Sequence, residues 1–522
     1  MIVLKARWPV GSRVVALGLL MLLATLLMAA GMLVIGASPA EAATTFTVNK
    51  TGDRGDRNID GVCDSKSKNG KQCTLRAAIE EANATQGADT IDFDISGATQ
   101  TIKPDSPLPT IIDTVTIDAY TQQGASPNTL AEGNDAVLKV KLNGSDAGAD
   151  ANGLVISTSN STVKGLVINR FDGDGVQISG FGATGNKVEG NFIGTNDDGT
   201  IDNGNGIRGL FISGADDNTV GGAQPDMRNV ISGNDQDGVF IFGNGATDNR
   251  VEGNFIGTTA DGSGDLGNTE AGVFIHAASD TTVGGTATGT RNVISGNNQD
   301  GVFIFGSETT VQGNYIGIDA GGTGALGNAE DGVSVFGADD NTVGGTAGGA
   351  GNRIAHNGED GVSVPTSTDT GNSVLSNSIF SNGGLGIDLG SNGVTNNDTD
   401  DPDTGANNLQ NFPVITSVAG IPMTSDTFVS GTLNSNPNQS FTIQCFLTDG
   451  ASVSDHGEGS VLLDTTAATT DANGDGGFFC ISSNPILGQV PGQTVSATAT
   501  NILTTGDTSE FSENKPVPGP GP

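Results

Sequence analysis

A catalyst built on a repeating chain has to break the repeat, and His276 does so. It follows a G-V-F-I segment at a place where the sister segments carry Ser, Phe or Pro. Arg170, Arg208 and Arg353 are off-pattern as well. A basic residue of this kind could abstract a proton in a polysaccharide lyase, often beside calcium. Glycoside hydrolysis needs instead two carboxylates about 5–10 Å apart. Asp172 with Asp174, in F-D-G-D-G, or Asp235 with Asp237, in N-D-Q-D-G, could supply such a pair. The D-G step, however, recurs at 174, 237, 300, 331 and 360. A residue repeated on successive units reads as a turn former before it reads as a catalyst. His276, Arg208 and Asp174 are therefore the catalytic candidates, each weighed against a plain surface or turn role.

Two segments have the chemistry of a cation loop. Asp56-x-Asn58-x-Asp60-Gly61 and Asp471-x-Asn473-x-Asp475-Gly476 match the first half of a calcium loop, with oxygen ligands and a Gly for the sharp turn. Ser67 and Ser482 stand where such a loop carries its bidentate Glu, so calcium is an expectation set against two polar turns. The run Asp398, Asp400, Asp401, Asp403 could also hold a cation, but reads first as a solvated linker.

A third feature suits binding better than catalysis. Seven segments align on a Gly, from G-V-Q-I at 175 to G-V-S-V at 361. Their second and fourth positions are always Val, Leu or Ile, while the third varies. Strand side chains alternate, so the constant pair points inward and the variable position outward. Phe211, Phe240, Phe274 and Phe303 then form an outward stripe, with Phe242, Phe305 and Phe336 two residues further along the same face. Such a stripe either marks an interaction surface or lies under loops or a cap.

The elements that position these residues are repeats. V-E-G-N-F-I-G-T occurs at Val188 and Val251, and V-Q-G-N-Y-I-G-I at Val311, at offsets of 63 and then 60 residues. N-V-I-S-G-N at Asn229 and Asn292, followed by N-R-I-A-H-N at Asn352, keeps the same offsets. A recurring N-x-(V/I)-x-x-N places Asn at 191, 234, 254, 297, 314, 357 and 377, with gaps of 17 to 20 and 43. A gap near 20 predicts one coil of a β-solenoid and 43 predicts two. Asn suits a left-handed turn, and its amide can pair with the next Asn up the stack.

Composition agrees. The chain has 522 residues, 81 of them Gly, and a net charge of −37. So acidic a chain is a poor nucleic-acid ligand. With 35% apolar and only 16% charged residues it is also not a disordered chain. Residues 1–42 read as a signal peptide: Lys5, Arg7 and Arg13, an apolar run from Val14 to Ile35, and Ala40-Glu41-Ala42 as cleavage site. The alternative is an uncleaved membrane anchor, the one route to a membrane. In an oxidising compartment Cys63–Cys73 and Cys445–Cys480 are the natural disulfides. The remaining divisions are a cap region at 43–150 with one short helix over Leu75–Asn83, repeats at 151–395, and an acidic linker at 396–412. An Ig-like β-sandwich at 413–513 and a Pro/Gly tail at 514–522 follow.

The segment C-T-L-R-A-A-I-E-E-A-N from Cys73 closely resembles the C-S-L-R-E-A-[VI]-x-x-A-N signature of the CSLREA-domain proteins. G-V-C-D at Gly61, the G-N-x-I-G-T repeats and N-N-L-Q-N-F-P-V at Asn407 resemble that family too. Ala77 departs from the signature, standing where it has Glu. The resemblance implies an exported bacterial protein with a right-handed parallel β-helix, the solenoid of pectate lyases and polygalacturonases. It implies no activity, because the family's is generally unassigned. The expectation is thus an all-β, secreted or cell-surface protein: a pectin-lyase-like β-helix with an N-terminal cap and a C-terminal β-sandwich. It would act as an adhesin or polysaccharide-binding scaffold, with an extracellular polysaccharide or surface protein as partner. The alternatives are a polysaccharide lyase or glycoside hydrolase, and a structural surface-coat component.

Overall fold

A computed structural model describes residues 43–66, 72–97, 100–420, 427–448, 454–482 and 492–518. The expected signal peptide lies outside them, as do Ser67 and the last four residues of the tail. The chain winds into a right-handed parallel β-helix with three faces. Sheet A has 11 strands, from Thr45–Val48 to Ser373–Leu375; sheet B has 10, from Gln100–Ile102 to Ser378–Phe380; sheet C has 9, from Leu154–Ile156 to Ile387–Leu389. Most strands are only two to four residues long. Each holds because its inward residue stacks on the same residue of the next coil. Val188, Val220, Val251, Val283, Val311 and Val343 are register partners in sheet A, and Ile193, Ile231, Ile256, Ile294 and Ile316 in sheet B. Full burial of each such side chain contributes about 1.5–3 kcal/mol.

The coil is longer than the spacing predicts. The valine register makes one coil 28 to 32 residues, so the 63- and 60-residue repeats are each two coils. The reading of about 20 residues fails because the Asn series mixes two corners. Asn191, Asn229, Asn254, Asn292, Asn314, Asn352 and Asn377 form one ladder between sheets A and B. Asn205, Asn234, Asn268, Asn297, Asn328, Asn357 and Asn382 form another between sheets B and C. A gap of 20 therefore runs from one corner to a different one.

The stacking itself is as expected. Each amide Nδ2 donates to the Oδ1 of the next rung at 2.9–3.2 Å, and that Oδ1 also accepts the backbone N–H below it, as Asn297 Oδ1 does from Asn268. The left-handed residue is not the ladder Asn but the one before it: Gly190, Gly253 and Gly313 at one corner, Asp217, Asp248 and Asp340 at a third.

The region expected as a cap already carries strands of sheets A and B. What covers the N-terminal end is the helix α1, Leu75–Ala82, whose N-cap Thr74 accepts from the Ala77 N–H. Its buried face is Leu75, Ala77, Ala78, Ile79 and Ala82, so the Ala77 that departs from the signature faces the core. The Cys63–Cys73 disulfide ties the preceding loop, with Cα atoms 5.1 Å apart.

The C-terminal region is a sandwich of a three-stranded and a four-stranded sheet, largely antiparallel. The Cys445–Cys480 disulfide joins the two sheets. The sandwich also closes the solenoid. Glu458 accepts from the Ser381 and Asn382 N–H groups and so ends the second Asn ladder. Glu510 accepts from Leu389 and Thr395. The segment 396–412 is not a solvated linker: Asp401 is 4% exposed and bonded to Gln410, Asn411 and Ser435.

Candidate functional site

The outer face of sheet C carries most of the singled-out residues. Its strands align Gln177, Phe211, Phe240, Phe274, Phe303, Ser334, Ser363 and Asp388 in one outward row. The rings stack along the helix axis at centroid distances of 5.4, 4.7 and 4.9 Å. A second row, Phe242, His276 and Phe305, stacks beside it at 5.3 and 4.8 Å and continues to Phe336 at 5.9 Å. Phe240 is 8% exposed only because its neighbouring rings and Arg208 close over it, whereas Phe242 and Phe336 are 40% and 44% exposed. The stripe therefore points outward as the alternation predicts, and its second row is open at Phe242 and Phe336 and half-buried at His276 and Phe305. His276 is one ring of that row, and its Nδ1 has no hydrogen-bond partner. Phe181, 85% exposed and lying against Gly245, adds an aromatic that the strand pattern does not flag because it stands in a loop.

Arg208 and Asp174 come together at the edge of the same face. Arg208 stands between Asp174 and Asp237 on the rung where most coils place the Asp of the D-G step and one places Ala271. Its Nη1 lies 3.5 Å from Asp174 and its Nε 3.8 Å from Asp237, while the guanidinium covers Phe211 and Phe240 at 4.6 and 4.5 Å. Burial pushes the Asp237 carboxyl up to about 7, with Glu270 adding to the rise and Arg208 opposing it. Burial also raises Asp174, against the pull of Arg208. Two carboxyl groups astride one cation, beside aromatic rings, could in principle move protons on a bound sugar. Arg170 bonds to Asn203 and Arg353 stacks on Phe380, both apart from this cluster.

Further along, the same rung is acid after acid. Asp300 Oδ1 accepts the Asp331 N–H and Asp331 Oδ1 accepts the Asp360 N–H, at 3.0 and 2.8 Å. This is a backbone-binding role, as a turn former would have, but it packs carboxylates on adjacent coils. Burial, with Asp331 next, raises Asp300 to about 8; burial, opposed by the Leu385 N–H, raises Asp360 to about 7.

The two loops expected to bind calcium differ from the linker acids. Asp56 turns its carboxylate onto the N–H groups of Asn58 and Asp64, and Asp60 onto that of Val62. Asp471 accepts from Asn473 and Asp475, and Asp475 from Asn434. Neither loop gathers three carboxylates; among the described residues that convergence occurs at Asp398, Asp401 and Asp403, within 4.8 Å.

No family model and no curated protein matches the chain. Three solved structures align with much of it at low similarity. The Dettilon tailspike protein gp208 is 13% identical over 82% of this chain and 92% of its own, with a TM-score of 0.36. Full-length tailspike protein 2 of an Escherichia coli O157:H7 bacteriophage is 10% identical over 89% and 68%, at 0.37. A mutant of the periplasmic alginate epimerase AlgG is 12% identical over 58% and 72%, at 0.28. These likenesses are too distant to speak to function.

Proposed function

We propose that the outer face of sheet C is a platform for an extended extracellular polysaccharide, and that the protein is a binding scaffold rather than a catalyst. One observation carries this reading: two parallel rows of stacked rings run along a rigid solenoid, the second row exposed at Phe242 and Phe336. Ring faces bind the apolar faces of sugars, and a solenoid presents them over the length of a polymer. The two disulfides fit an oxidising, extracellular setting. The motif at Cys73 supports membership of the CSLREA-type exported β-helix proteins, and calcium at Asp398, Asp401 and Asp403 is part of the same proposal.

The Asp174–Arg208–Asp237 cluster favours a second reading, a glycoside hydrolase or lyase at the N-terminal end of the same face. One experiment separates the two. The secreted chain is tested for retention on, and for reducing-end or unsaturated-product release from, neutral, acidic and amino-sugar polymers. Retention without release supports the scaffold. Release that disappears in Asp237→Asn makes the protein an enzyme, and retention on no polymer removes the platform.

A further inference from the structure

We infer that the C-terminal half of the sheet C face binds protonated amino groups, so that its glycan is a hexosamine polymer carrying free amines. This rests on the platform reading above and names its ligand class. The ring row does not end at Phe303 but passes in register to Ser334, Ser363 and Asp388. Beside these stand Asp300, Asp331 and Asp360, with Glu330 and Glu359 exposed above them. Among the described residues, none of these acids makes an ion pair. Asp388 is 5% exposed; its Oδ2 accepts the Gly393 N–H, and its Oδ1 lacks any hydrogen-bond partner. It lies near enough to Asp360 to raise that group further. A protein that buries an unpaired carboxylate oxygen at the end of an acid row has left a place for a positive ligand.

The form of the row says which kind of cation. A divalent ion draws several oxygens into one shell. Here the acids are spread one per coil, about 4.8 Å apart, and three carboxylates converge elsewhere, at Asp398, Asp401 and Asp403. Regularly spaced acceptors suit a polymer with regularly spaced charges. The rings adjoining them add face-on attraction for an ammonium group and a stacking surface for the sugar that carries it. Acidic polymers meet repulsion from the exposed Glu330 and Glu359.

The test compares a glucosamine hexamer with its fully N-acetylated counterpart by calorimetry on the whole secreted chain. The free amine should bind about tenfold tighter or more. Asp331→Asn should bring it down to the acetylated level and leave the acetylated ligand unchanged. Should that variant fold poorly, the exposed pair Glu330→Gln with Glu359→Gln replaces it with the same expectation. Equal affinities, or indifference to these variants, overturn the amine inference while the platform stands. No binding of either hexamer overturns the amine inference as well, and the platform then stands or falls on retention by the other polymers. A calcium titration completes the set: a tight site lost in Asp331→Asn would make the row a metal site and overturn the inference.

Discussion

Sheets B and C carry outward aromatics in equivalent positions and treat them oppositely. On sheet B, Phe192 and Phe255 point away from the coil yet are each 2% exposed. On sheet C, Phe242 and Phe336 remain open. The difference lies in the corners. After Phe192–Ile193, Phe255–Ile256 and Tyr315–Ile316 the chain makes a sixteen-residue excursion before reaching sheet C. Those excursions fold back over sheet B and stack on one another, the Ala260 N–H on Gly199 and the Ala320 N–H on Gly262. Gly199 and Gly262 have φ of +64° and +71°, and a Cβ on Gly262 would strike the Phe255 ring at 2.9 Å. From sheet C to sheet A the connections are only four to eight residues long and cover little. Strand alternation decides which way a ring points; corner length decides whether water reaches it.

The sharpest way to break this comparison is to place a charge in each row. Phe192→Asp buries a carboxylate under the excursion loop and loses the ring, an expected cost above about 5 kcal/mol. Loss of the folded state by circular dichroism would confirm the covered row; a stable variant would show that the loop lifts away. Next in size is the corner between the two sheets. Asn297→Ala orphans the Asn268 N–H, at about 1–3 kcal/mol, and takes one of the two acceptors of its Nδ2, which keeps the Ile231 carbonyl. A urea midpoint near wild type would mean the ladder contributes little.

These contrasts mark what was legible in the residues. The period-2 pattern of G-V-F-I gives the inward and outward faces of sheet C without a structure. The spacing of Asn gives stacked coils but not their length, because chemically identical corners recur between different sheets. Asp300, Asp331 and Asp360 read as turn formers, and their bonds to backbone N–H groups agree. The recurring D-G step already places them on successive units; that their carboxylates pack against one another shows only in the structure. Arg208 stood out as a break in the pattern. That it sits astride Asp174 and Asp237 follows only once the D-G steps are known to form a single rung.

A smaller effect sharpens the acid end of sheet C. The native state holds a proton on Asp300 up to about pH 8, whereas an unfolded Asp releases it near its ordinary value of 3.8. Between those limits the folded state binds more protons, so stability falls as pH rises through about 4 to 8. Asp300→Asn keeps an oxygen for the Asp331 N–H and removes the titration. It should be more stable than wild type at pH 8 and equal to it at pH 4. Urea unfolding at both values checks this, and a constant difference would assign the effect to packing instead.

The smallest expected change in stability is the one that matters most for function. Phe242 touches Phe211, Phe240 and His276 at 6.5, 5.7 and 5.3 Å, yet it is 40% exposed. Phe242→Asp gives up ring contacts worth about 0.5–1.5 kcal/mol while its charge stays in water. The unfolding free energy measured in urea should therefore fall by no more than about 1.5 kcal/mol. Retention on any polymer that binds the wild type should drop sharply, since the carboxylate stands at the exposed N-terminal end of the row. Intact retention would move the binding surface off sheet C. A large loss of stability would mean that the open row, like the covered one, is held in place by something folded over it.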